Sequence, residues 1–160
     1  MSSAIKYISI FIIVTLFSIT ASAQIVSYNE SEKLLKMDFE TANNYLISKK
    51  FEYTSAKEET KGKWLFFRRL NNDREYEVGI YIVEGGYING VHILTTNFYE
   101  ANIYKKELEA DYKIVANQLK GQDLATCFIH KEYIFKRGEY TVSVDPNGSG
   151  KKAYFIYLYD

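Results

Sequence analysis

Asn97–Gly121, NFYEANIYKKELEADYKIVANQLKG, is the stretch that decides the fold. It follows a long run of strand-like sequence and returns the chain to a helical period. Asn97-x-x-Glu100 has the form of a capping box, in which a short polar side chain and an acid three residues on satisfy the first free N–H groups of a helix. Behind it Ala101, Tyr104, Leu108, Val115 and Leu119 fall on one helical stripe, interrupted at Asp111. Gly121 is placed to end the helix in the left-handed conformation. The spacing predicts a helix running from Asn97 towards Gly121.

The same order occurs earlier in the chain. Asn29-x-x-Glu32 reads as a capping box, and Leu35, Phe39, Ala42 and Leu46 form an apolar stripe ending near Lys49-Lys50. The period then changes to two. Phe51–Ser55 is a short extended piece, Lys63–Leu70 is strand-like, and Asn71-Asn72-Asp73 is a turn. Tyr76, Val78, Ile80 and Ile82 alternate with Glu75, Glu77, Gly79 and Tyr81, Glu84-Gly85-Gly86 turns the chain, and Tyr87–Thr96 is a further strand with Gly90 as a candidate bulge. After the second helix, strand-like segments fall at Ala125–Ile129, Tyr133–Arg137, Tyr140–Val144 and Ala153–Tyr159, with Asp145-Pro146-Asn147-Gly148 as a turn.

The halves also agree in residue type. Trp64-Leu65-Phe66-Phe67-Arg68-Arg69 can be set on Tyr133-Ile134-Phe135-Lys136-Arg137, Tyr76-x-Val78-x-Ile80 on Tyr140-x-Val142-x-Val144, and Val91-x-Ile93 on Ile156-x-Leu158. Order and residue type together point to an internal duplication. The expected architecture is α+β: two tandem units, 24–96 and 97–160, each one helix followed by about four antiparallel strands. Their helices would pack on one face of a curved sheet in one compact domain. This element order resembles that of β-lactamase inhibitor protein-like and PepSY-like proteins of the bacterial envelope. The resemblance implies the architecture and carries over no functional residue.

The first 23 residues read as a secretory signal peptide. Lys6 supplies a positive start, Ile8–Ile19 (ISIFIIVTLFSI) an apolar run, and Ala21-Ser22-Ala23 a small-x-small cleavage site. The run is shorter than the roughly 20 residues a membrane span needs, so no transmembrane anchor is expected after cleavage. No cysteine follows the cleavage site to take a lipid. The expected location is periplasmic or secreted.

Composition narrows the function classes. Twenty basic and 20 acidic residues leave no positive excess to hold a phosphate backbone, so nucleic acid is not an expected partner. Cys127 is the only cysteine, so no intramolecular disulfide can staple the fold, and its apolar context reads as a buried thiol. Cys127-x-x-His130-x-Glu132 falls short of the ligand set of a structural zinc site. Residues three apart in a strand point to opposite faces, which argues against a Cys127–His130 nucleophilic pair. Gly148-Ser149-Gly150-Lys151 lacks the full phosphate-loop pattern and reads as a hairpin turn. Glu58, Glu59, Glu107, Glu109 and Asp111 lie in polar runs, where solvated charge is the rule. No catalytic residue, metal or cofactor is expected, and the chain does not read as an enzyme.

Strand alternation sorts the remaining surface. With Trp64, Phe66, Tyr76, Val78 and Ile80 towards the helix, the opposite face would carry Leu65, Phe67, Arg69, Tyr81, Ile134, Phe155, Tyr157 and Tyr159, with Glu77, His92 and Lys136 among them. Aromatic residues and Arg are enriched at binding hot spots. The expected function is a non-enzymatic, inhibitor- or immunity-like protein that blocks an envelope enzyme or toxin sterically. Phe67, Arg69, Tyr81, Phe155, Tyr157 and Tyr159 are the expected contacts. A periplasmic carrier of a small ligand or lipid is the alternative reading, and an envelope assembly accessory a third. A homodimer burying the same face is compatible with the pattern.

Overall fold

The computed structural model describes residues 26–71, 74–120, 123–133, 136–144 and 151–159. The proposed signal peptide, Gly121 and the 145–148 turn lie outside them. Two short helices, α1 (Tyr28–Leu34) and α2 (Phe39–Ser48), precede strands β1 (Glu52–Glu59), β2 (Gly62–Asn71), β3 (Arg74–Val83) and β4 (Ile88–Thr95). Helix α3 (Phe98–Asp111) follows, then β5 (Tyr112–Lys120), β6 (Asp123–His130), β7 (Lys136–Val144) and β8 (Lys151–Tyr159). All eight strands form one antiparallel sheet of order β1-β2-β3-β4-β8-β7-β6-β5. The fold is α+β. Each run of four consecutive strands is a meander, and β4 and β8 join the two runs.

The first helix is broken where one continuous helix was expected. Ser27, two residues before Asn29, is the N-cap: its side chain accepts from the Glu30 N–H, and Glu30 accepts from the Ser27 N–H. Asp38 then restarts the helix, its extended backbone placing a carboxylate against the Thr41 N–H at 2.8 Å. Glu30 also ties the two pieces together by accepting from Tyr45 and Lys49. Partial burial opposes ionisation of Glu30, but the hydrogen bonds from Lys49, Tyr45 and Ser27 outweigh it and hold its carboxyl at about 2.

The second helix ends ten residues before Gly121, at Asp111, and Tyr112–Lys120 is strand β5. Ile114 and Val115 favour an extended backbone, and a carboxylate is unfavourable at the negative end of a helix. Asp111 instead accepts from the Tyr28 hydroxyl at 2.7 Å, which fixes this helix end against α1. Asn97 is the N-cap as expected, though without a side-chain capping bond. Tyr133 is not in a strand. His130 Nδ1 accepts from the N–H groups of Glu132 and Tyr133, turning the chain before β7 begins at Lys136. The bulge expected at Gly90 falls beside it: Tyr81 pairs with Gly90 and Ile82 with Ile88, leaving Asn89 as the extra residue.

The core lies between the helices and one sheet face. Leu34, Leu46, Ala101, Tyr104 and Leu108 meet Leu65, Phe67, Tyr76, Val78, Ile80, Val91, Ile93, Phe128 and Phe155. Each large apolar side chain removed from water contributes roughly 1.5–3 kcal/mol before the entropy of ordering is counted. A chain of hydroxyl hydrogen bonds runs through this layer. Tyr104 donates to Ser31 Oγ at 2.8 Å, and Ser31 Oγ donates to the Ser27 carbonyl.

Candidate functional site

The helix-free face of the first meander carries the strongest cluster of partly exposed aromatic side chains. The pairing register builds it. Trp64 lies opposite Tyr81, and Phe66 opposite Gly79, which in turn lies opposite His92. The Trp64 and Tyr81 ring centroids are 5.2 Å apart and tilted by 38°, and Phe66 stacks beside Trp64 at 6.1 Å and 20°. His92 meets both edge-on, at 6.4 Å from Trp64 and 5.9 Å from Phe66. Gly79 makes room for this arrangement: a Cβ there would come within 2.9 Å of the Phe66 ring and 3.1 Å of the His92 Cβ.

A row of charges borders the aromatic cluster. Arg68 Nη2 reaches Glu75 at 3.1 Å and Glu77 at 3.6 Å, and Lys152 Nζ reaches Glu75 at 3.0 Å. Glu77 lies 3.8 Å from His92 Nδ1. Burial raises the Glu77 carboxyl above its ordinary value, Arg68 opposing the shift. Burial lowers His92 from 6.5 to about 4, so the imidazole is neutral at pH 7 and its contact with Glu77 is not an ion pair there. Between these values the unfolded chain binds a proton that the folded chain refuses. The His92 contribution to stability is therefore fully present above pH 6.5 and is lost as pH falls towards 4. His92→Gln is expected to flatten the pH dependence of the urea midpoint across that window. An unchanged slope would show that His92 is solvated in the native state.

The residues expected from sequence divide sharply. Tyr81 lies on the helix-free face, half-buried, in contact with Trp64. Phe67 and Phe155 do not: each is 1% exposed and belongs to the core beneath the helices. Arg69 also points to the helix side. Its guanidinium lies 4.7 Å from the Phe51 ring and 5.2 Å from the Tyr76 ring, and Nη1 donates to the Lys49 carbonyl just past α2. It clamps a helix end on the helix side of the sheet. Lys136 is likewise buried, bonded to Glu32 of α1. Tyr157 pairs with Val91 and Gly138, and Tyr159 with Lys136. Their side chains, and Ile134 and Phe135, lie outside the described residues.

Trp64 and Phe66, expected under the helix, are thus the residues the sequence reading missed. Asn71 pairs with Arg74, so two residues separate β2 from β3 where a three-residue turn was expected. That one-residue difference transfers every side chain of β2 to the other face. Among the described residues no three His, Cys, Asp or Glu side chains are grouped to hold a metal ion, and no helix is long and apolar enough to cross a membrane. Comparison with protein-family models, with curated proteins and with solved structures finds no match to this chain.

Proposed function

We propose that the chain is an exported, non-enzymatic protein-binding module of the inhibitor or immunity type, which blocks an envelope enzyme or toxin through the helix-free face of its first meander. The observation that carries this reading is the cluster of Trp64, Phe66 and Tyr81, half-buried on the sheet face that the described helices leave open and bordered by Arg68, Glu75, Glu77 and Lys152. Rigid aromatic anchors with a charged border match the anatomy of binding hot spots, where the rings supply affinity and the charges supply register. The signal-like residues 1–23 support export to the periplasm or beyond.

The same reading takes the chain as two tandem helix-plus-meander units. Phe51 and Tyr112 are both buried just after a helix. The first strand of each meander then carries an irregularity at its third or fourth residue, Thr54 in β1 and Val115 in β5. In the third strands, Tyr76 and Val78 match Tyr140 and Val142 on the helix side. Duplication gives one long sheet whose two halves are free to diverge, the first retaining the aromatic surface.

Affinity capture from an envelope extract tests the function. The wild-type chain is expected to retain one stoichiometric protein. Trp64→Ala with Tyr81→Ala is expected to weaken that binding by at least about 2 kcal/mol, roughly thirtyfold, as hot-spot truncation does. Tyr99→Ala, on α3 and 75% exposed, should leave it unchanged. A partner equally retained by the double variant would overturn the face assignment. A stoichiometric lipid or other small molecule released by organic solvent, with no protein retained, would favour the carrier reading.

A further inference from the structure

At one end of the aromatic cluster the β1–β2 hairpin borders an open, shallow recess of about 340 Å3, lined by Glu59, Thr60, Lys61, Trp64 and Tyr81. Glu59 pairs with Gly62, so Thr60 and Lys61 form the hairpin loop. Gly62 lets this loop approach β3 closely, since a Cβ there would collide with the Ile82 carbonyl oxygen. Polar loop side chains are thereby brought alongside an aromatic floor.

We infer that this recess is a saccharide subsite. A sugar ring presents an apolar C–H face and a rim of hydroxyls that donate and accept hydrogen bonds. The recess offers the complement: the tilted Trp64 and Tyr81 rings below, with an acceptor at Glu59, a donor-acceptor at Thr60 and a donor at Lys61 around the edge. The charges single out no ionic ligand. Glu59 accepts from Lys57 Nζ at 2.6 Å, so its carboxylate is already partnered and does not call for a cation. Lys61 and the Glu59 carboxylate bring opposite charges to the recess, so net charge selects neither an anion nor a cation there. The volume lies at the small end of the roughly 300–1,000 Å3 range of ligand sites, which suits one or two sugar rings. The inference goes beyond protein docking, which also uses Phe66 and His92, neither of them in the recess.

Trp64 is the only tryptophan in the chain, so intrinsic fluorescence reports on this site without labelling. The product purified as the host processes it is titrated with chitobiose, cellobiose and maltose, with acyclic sorbitol and arginine ethyl ester as controls. At least one disaccharide is expected to shift the Trp64 emission saturably, while both controls leave it unmoved. Tyr81→Ala and Glu59→Gln retain the reporter, and each is expected to weaken that binding roughly tenfold, the effect of removing a stacking wall or a charged hydrogen bond. Retention of the protein on insoluble cell-wall glycan, together with saturation by chitobiose, would assign an amino-sugar polymer. Saturation by cellobiose or maltose alone would assign a free hexose chain. Silence with all three sugars, a response to arginine ethyl ester, or sugar binding indifferent to both substitutions would overturn the subsite. Arg68→Ala separates the two functions, since Arg68 borders the docking cluster and does not line the recess: it should weaken protein capture and leave sugar binding intact.

Discussion

Phe155→Ala is expected to lower the free energy of unfolding by about 3–5 kcal/mol, the range for truncating a large aromatic side chain in a packed core. Phe155 lies on β8, paired with Ile93 on one side and Tyr140 on the other, where the two meanders meet. Its ring is 4.5 Å from that of Tyr104 on α3 and 4.7 Å from that of Tyr140 on β7. Removing it empties the seam that joins helix α3 to both halves of the sheet, and little around it can collapse to fill the space. Domains of this size are stable by about 5–15 kcal/mol, so the substitution removes a large share. Tyr81→Ala, on the helix-free face, should cost much less, near the roughly 1 kcal/mol typical of single substitutions. Urea denaturation followed by circular dichroism measures both. The contrast decides which sheet face is the core. A small loss at Phe155 with a large loss at Tyr81 would place the helices on the other face and withdraw the proposed docking surface.

The alternation of β3 and the helix start at Asn97 were readable because they rest on local sequence. Tyr76, Val78 and Ile80 announce their buried face by alternation with Glu75 and Glu77, and the structure buries them. The face of β2 was not readable in the same way. KWLFFRRL is apolar at both parities, so alternation gives no answer, and the face depends on the number of residues in the turn that follows. Gly79 holds the clue. It lies in the same alternation as Glu75, Glu77 and Tyr81, where a missing side chain is useful only if something large lies across it, and Phe66 does. The extent of α3 was hidden for a related reason. Val115 and Leu119 continue a helical stripe, but they are exposed on an edge strand and never face the core. A stripe shows which residues share a side of a helix, not whether the helix forms, and β-branched residues after Asp111 settled the outcome. The helix-side position of Arg69 was not legible because hot-spot chemistry and helix-end clamping use the same guanidinium. Only its placement over Phe51 and Tyr76 separates them.

Lys136→Met should produce the second large loss, about 3–5 kcal/mol, by leaving a carboxylate in the protein without its counter-charge. Lys136 Nζ lies 2.8 Å from Glu32 Oε2, with the two side chains only 10% and 17% exposed. The pair joins α1, at the start of the described chain, to the first residue of β7, 104 positions later. Methionine keeps most of the lysine stem and its packing, so the loss isolates the charge. Glu32 would retain the Tyr112 hydroxyl at 3.4 Å, too long a contact to replace an ammonium. The double variant Glu32→Leu/Lys136→Met should recover most of the loss, because an apolar pair of similar volume avoids both desolvation penalties. A double-mutant cycle on urea midpoints therefore predicts a strongly non-additive result. Additive single losses below about 1 kcal/mol would mean that water reaches the pair and that it contributes no more than a surface bridge. The expected non-additivity would mean instead that one ionic contact fixes α1 against the second meander. Tyr28 and Ser31, both on α1, bond to Asp111 and Tyr104 of α3, so their registry depends on the same anchorage.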